Sequence, residues 1–238
     1  MPLHFYGYGF GYGIDPGYLL VALVALVIGG AAQTYIKSTY RKWSQVDARV
    51  PGTGADVARR MLAEGGASGV GITRCAGSLT DHYDPRDNML HLSDDNYRGA
   101  SVASVAVACH EAGHAIQAAR GFGFYRLRTA LVPAVNLAQQ FWVVLLLLGV
   151  VLNFFGLVQL AIALFAVSVV FQLVTLPVEI DASRRAVAYL SANGAGLDEK
   201  GARSVLTAAA LTYVAAALTS IIQLVYLLGR YGSRGSDR

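Results

Sequence analysis

The chain has 238 residues, 55% of them hydrophobic and only 14% charged, with nineteen Lys and Arg, fifteen Asp and Glu, and a pI near 9.1. Average soluble domains carry roughly 25% charged residues. With a mean hydropathy of +0.46, the composition is that of a membrane protein surrounded by lipid; it excludes a wholly soluble enzyme, a disordered chain and a nucleic-acid binder.

The chain opens on an aromatic and glycine-rich segment, residues 1–16, which includes His4-Phe-Tyr-Gly-Tyr-Gly-Phe-Gly-Tyr12 and suits an outer membrane interface. A spanning helix needs about 20 mostly apolar residues, and residues 17–36 supply the first, uncharged throughout. No Lys or Arg precedes it, so a retained anchor is expected rather than a cleaved secretory signal. Residues 37–128 form a polar module. Within it, Thr53-Gly-Ala-Asp56 opens a helix that Gly65-Gly66 closes. Short strands are expected at 69–73, 78–80 and 88–93, with a turn at Asp84-Pro-Arg-Asp87. A helix rich in Ala and Val runs from Ser101 to Arg120. Two further spans, 129–152 and 157–176, share an uncharged run broken by Asn153-Phe-Phe-Gly156. Pro177 begins a second polar segment, 177–204, whose helix reaches Leu190. The fourth span is 205–228 and the tail is 229–238.

Sixteen of the nineteen basic residues fall in the two polar segments. The positive-inside tendency places those segments in the cytoplasm and both termini outside, in a multi-pass protein of the plasma membrane. Arg230, Arg234 and Arg238 lie on the other side and oppose this weakly. Two cysteines, Cys75 and Cys109, are too few for a disulfide framework and fit a reducing compartment. The fold class expected is a mainly α membrane protein of about four transmembrane helices, with an α+β cytoplasmic module carrying a short β-sheet.

His110-Glu-Ala-Gly-His114 is an HExxH motif on the Ser101–Arg120 helix. Positions i and i+4 share a helical face, so both imidazoles can hold one metal ion while Glu111 reaches a water beside it. Ordinary half-buried polar residues are the bland alternative. Burying two imidazoles and a carboxylate costs several kcal/mol unless they are paired or bind metal. The third ligand must come from elsewhere, because a metzincin-type histidine six residues after His114 is absent and position 120 is Arg. Glu179, just beyond Pro177, is the first choice and Asp181 the second.

Asp81-His82-Tyr83-Asp84 precedes the motif helix. His82 or Tyr83 could stabilise an oxyanion as catalytic groups, or the stretch could simply be a turn. The strand holding Asn88, Met89, Leu90, His91 and Leu92 is expected to be the edge on which an extended peptide adds. Gln117, seven residues after His110, either lines that cleft or packs at the core edge. Cys109 is assigned to packing, and the side chains of His4 and His91 receive no catalytic role.

Thr53-Gly-Ala-Asp56, Leu79-Thr-Asp-His-Tyr-Asp-Pro85, His110-Glu-Ala-Gly-His-Ala-Ile-Gln117 and Leu176-Pro-Val-Glu-Ile-Asp-Ala-Ser-Arg-Arg-Ala186 together resemble the YugP-type neutral zinc metallopeptidases over nearly the whole chain. More distantly they resemble membrane gluzincins, whose ligand glutamate opens a Glu-x-x-x-Asp pattern. The resemblance implies that the α+β cytoplasmic module is a zincin-like catalytic module, with one Zn2+ per chain on His110, His114 and Glu179 and with Glu111 as base. The chain departs from the pattern at Ser183, four residues after Glu179, with the acid at Asp181 instead. Either residue could orient a ligand imidazole.

The function expected is therefore a zinc endopeptidase cutting protein or peptide substrates at the cytoplasmic membrane face, with membrane lipid as its other partner. Two alternatives stand beside it. One is an intramembrane protease with the HExxH inside the bilayer; the other is an interaction protein with a structural zinc.

Overall fold

The computed structural model describes residues 15–194 and 198–232. The His4–Tyr12 segment expected at the outer interface lies outside these residues. Among them the chain is mainly helical, with one small sheet. Helix α1 spans Pro16–Trp43, α2 Gly54–Gly65, α3 Asp94–Arg98, α4 Val102–Ala119, α5 Gly123–Val151, α6 Phe155–Asn193 and α7 Glu199–Tyr231. Strands β1 Gly71–Cys75, β2 His82–Asp84 and β3 Met89–Ser93 complete it. Four helices, α1, α5, α6 and α7, are long and apolar enough to cross a membrane. Helix α4, which carries the HExxH, is not among them.

Local chemistry explains the element ends. Asp15 caps α1 by accepting from the Gly17 N–H, and Pro16 starts the helix without a donor to satisfy. Thr53 and Asp56 exchange hydrogen bonds in a capping box that opens α2, and Gly66 closes it with φ +82°. Asn153, at φ +51°, makes the reversal between α5 and α6 where a turn is expected.

Two expectations of local structure need correction. Residues 78–80 are not a strand: Gly77 and Leu79 take φ of +100° and +57°, which turns the chain, and pairing begins only at His82. Nor does the helix break at Pro177; α6 continues through it. Proline removes one intrahelical donor, but apolar packing above it and packing on α4 below it hold both halves in line. The third span and the helix of the second polar segment are thus one rod.

The sheet order is β1-β3-β2, with β1 parallel and β2 antiparallel to β3. Strand β3 is therefore central rather than an edge. Its neighbours already occupy both sides from Met89 to His91, so a peptide cannot add to it there.

Helix α4 is the hub. It is buried almost throughout from Val102 to Gln117, because its Ala, Ser, Gly and Val side chains let neighbours approach from every side. Those neighbours are α2 through Val57, Met61 and Leu62, β3 through Leu90 and Leu92, α6 through Ala186 and Leu190, and α7 through Val205 and Leu206. A second cluster, Val158, Ile162, Phe165, Val169 and Leu227, joins α6 to α7 within the spans. The N-terminus of α1 meets the C-terminus of α7, where Tyr226 donates to Asp15 and Arg230 lies 3.2 Å from it.

Candidate metal centre

The HExxH puts His110 and His114 one helical turn apart on α4, with ring centroids 4.7 Å apart and planes nearly perpendicular. Helix α6 crosses beside them and delivers Glu179, which is 2% exposed. Glu179 Oε2 lies 3.2 Å from His110 Nε2 and 3.5 Å from His114 Nε2. Candidate ligand atoms of the three residues fall within 4.8 Å of one another, and all three side chains are buried.

The approach of the two helices depends on Gly113, the fourth residue of the motif. A Cβ there would sit 2.9 Å from the Ala182 carbonyl oxygen and 3.1 Å from its Cα. Any side chain would push α6, and with it Glu179, away from the imidazoles.

The outer nitrogens of the two rings are engaged. Gln117 Nε2 donates to the Val178 carbonyl and to Asp181 Oδ2, each at 2.8 Å. Its Oε1 is therefore the acceptor facing His114 Nδ1 at 3.0 Å. That fixes the His114 proton on Nδ1 and leaves the Nε2 lone pair pointing at Glu179. Arg185 closes the chain on Asp181 at 2.6 Å. On the other ring, Ser183 Oγ lies 3.2 Å from His110 Nδ1.

The centre thus gathers imidazole nitrogens around one oxygen of a buried carboxylate whose other oxygen, Oε1, has no hydrogen-bond partner among the described residues. Lone pairs converging at this distance repel unless a proton or a cation sits among them. Two imidazoles, each with its far nitrogen anchored, and a carboxylate are the donor set zinc takes when one position stays open.

Glu111 is buried beside this cluster. Burial pushes its carboxyl up to about 7, assisted by the charges of Glu179 and Asp81 and opposed by His110. Strand β2 packs against the motif helix here and brings the Tyr83 backbone beside it.

Several other expected residues stand elsewhere. The exposed His82 ring stacks on His91 at 4.7 Å and bonds through Nδ1 to the Thr80 carbonyl. His91 also contacts Asp87 at 2.8 Å. The Tyr83 hydroxyl donates to Asn88, so this tyrosine meets the centre through its backbone alone. Met89 flanks the close approach at Gly71, while Leu90 and Leu92 are core residues. Gln117 is fully buried and cannot line a cleft. Its register with His114, at i+3, was visible, but its use as a clamp depended on where α6 crosses.

Two residues at the centre carried no local sequence signal. Arg128, near the start of α5, places NH1 3.8 Å from Glu179 Oε1. Tyr213, in the middle of α7, lies against Glu179 and shares a cavity with His110 and Glu111.

A multi-helix, membrane-type protein in which an HExxH helix and a neighbouring helix together bury a His-His-Glu cluster is the class that fold and site define. The family described as "Putative neutral zinc metallopeptidase" matches residues 18–231, and this chain belongs to it. Among curated proteins it is similar to the "Putative membrane protease YugP" of Bacillus subtilis (strain 168), at 41% identity over 220 residues, 90% of this chain and 98% of that protein. No solved structure matches the chain.

Proposed function

We propose that the protein is an integral-membrane zinc endopeptidase that hydrolyses peptide bonds of protein substrates at the cytoplasmic face. The observation that carries this reading is the convergence of His110, His114 and Glu179 beside a buried carboxylate, Glu111, that bonds to none of their side chains. A structural zinc would more commonly close all four positions with protein ligands and favour cysteine. Here Cys109 is assigned to packing, and a purely structural site has no use for Glu111.

His110, His114 and Glu179 would hold the ion. Gln117, with Asp181 and Arg185 behind it, orients His114, and Ser183 orients His110. Zinc, when bound, supplies Lewis acidity and lowers the pKa of a coordinated water toward about 7. Glu111 takes a proton from the attacking water and passes it to the leaving amine, a task suited to a carboxyl held near neutral pH. Arg128 and Tyr213 are the donors close enough to offset negative charge growing on the substrate carbonyl oxygen. The free side of β2, next to Glu111, offers an extended substrate backbone a place to pair, a role that β3 cannot fill.

The cytoplasmic assignment rests on the basic residues of the two polar segments. An HExxH inside the bilayer is disfavoured by the surroundings of α4, which packs on α2 and the sheet rather than on the spans alone.

The test uses detergent-purified protein and a peptide library. Wild type is expected to cleave in a chelator-sensitive manner, and Glu111→Gln to lose at least about 1,000-fold in rate while keeping its zinc. Full activity in Glu111→Gln would remove Glu111 as the base.

A further inference from the structure

Beside the metal centre lies a cavity of about 260 Å³. His110 and Glu111 form one wall. Aliphatic lining comes from Ile36 of α1, Val107 of α4 and Leu206 and Ala209 of α7 among others, while Gln33, Tyr40, Thr212 and Tyr213 add polar groups. Ile36 is the last residue before Lys37, the first cation of the chain, and Ala209 lies in the uncharged stretch of α7 that begins at Val205. The cavity therefore stands where the spans of α1 and α7 meet the polar module. Asp81 also lines it, but its carboxylate is already used by the Ser93 N–H and hydroxyl and by Asn96. What remains facing a guest beside Glu111 is more apolar than polar, with Gln33, Tyr40, Thr212 and Tyr213 as its polar groups.

Its size limits the guest. Cavities for drug-sized ligands run roughly 300–1,000 Å³, so this one takes a single side chain rather than a folded segment. A larger hollow of about 710 Å³, between the end of α1 and α3, touches neither His110 nor Glu111.

We infer that this cavity is the specificity pocket of the enzyme: it selects substrates with one medium-sized apolar side chain next to the scissile bond, presented from the membrane side between α1 and α7. The inference rests on the proposed zinc peptidase reading and adds the substrate class. Substrates would be chain segments at the membrane surface whose apolar residues lie level with the α1–α7 junction. A fully water-exposed polar loop has nothing to place there.

The pocket can be tested without proteolysis. Glycine, leucine and tryptophan hydroxamates are titrated into zinc-loaded full-length protein in detergent, with binding read by calorimetry. Leucine hydroxamate is expected to bind wild type about tenfold or more tighter than glycine hydroxamate, the range one apolar pocket supplies. Ala209→Phe fills the cavity and should bring that ratio close to one. Ile36→Ala widens it and should improve tryptophan hydroxamate at least about fivefold relative to leucine hydroxamate. The two substitutions act in opposite directions on different helices, so a folding defect in one leaves the other decisive. Equal binding of all three probes by wild type, or ratios unchanged in both variants, would overturn the pocket. Failure of every hydroxamate to bind zinc-loaded protein would instead remove the open metal position, and with it the peptidase reading.

Discussion

Glu111 carries opposite burdens in stability and in chemistry. Burial raises its carboxyl from 4.5 to about 7, so in metal-free protein the folded state holds a proton that the unfolded chain releases earlier. Below about pH 4.5 both states are protonated and the group is neutral toward folding. As pH rises from 4.5 to 7 only the unfolded state ionises, and stability falls; above 7 the full penalty persists. At about 1.4 kcal/mol per unit this amounts to roughly 3 kcal/mol. Chelator-treated Glu111→Gln should therefore unfold at a higher temperature than wild type at pH 8, with the gap closing below pH 4.5. A gap independent of pH would show that Glu111 does not titrate as its burial demands. At this scale the sequence was informative where chemistry is local. The HExxH announces itself by spacing, and Glu179 stands out as the first acid after a long uncharged run. Arg128 and Tyr213 become visible only once α5 and α7 converge on the centre, because nothing near them in sequence marks their partner; Gln117 stands out by its register, but its clamp on Val178 and Asp181 needs the crossing of α6.

The junction of α4 and α6 sets the geometry of the centre, and Gly113 sets the junction. Gly113→Ala would place a methyl carbon 2.9 Å from the Ala182 carbonyl oxygen. Relief requires the helices to separate, at a cost of about 1–3 kcal/mol. The separation carries Glu179 and Ser183 away from the imidazoles together, so zinc affinity should fall by about 10–100-fold. Gly123→Ala is the matched control, since nothing lies within 4 Å of a Cβ there. Equal zinc affinity in Gly113→Ala and wild type would mean the centre does not depend on that close approach. The elements themselves were largely legible from caps and apolar runs: Thr53 and Gly66 bound α2, and the turn at Asn153 separates α5 from α6. Strand order was not. Pairing is a long-range choice, and the hydrophobic run Met89–Leu92 reads the same at an edge as in the middle of a sheet. Pro177 misled for a related reason, since a proline predicts a lost hydrogen bond but not the packing that offsets it.

Across the whole molecule, the ends of α1 and α7 meet through Asp15, Tyr226 and Arg230. One of the three basic residues that oppose the proposed orientation is thus partly neutralised by Asp15. The orientation makes a direct prediction for the two thiols. Cys109 is fully buried, whereas Cys75 is half-exposed on β1 in the polar module. A membrane-impermeant maleimide should leave Cys75 unmodified in intact cells and label it after permeabilisation; labelling in intact cells would reverse the topology. The central claim, that two segments far apart in sequence meet to hold one metal ion, is tested most directly by the zinc content of purified wild type beside Glu179→Ala. The account predicts about one zinc per chain in wild type and a sharp loss in the folded variant. Full occupancy in folded Glu179→Ala would contradict it.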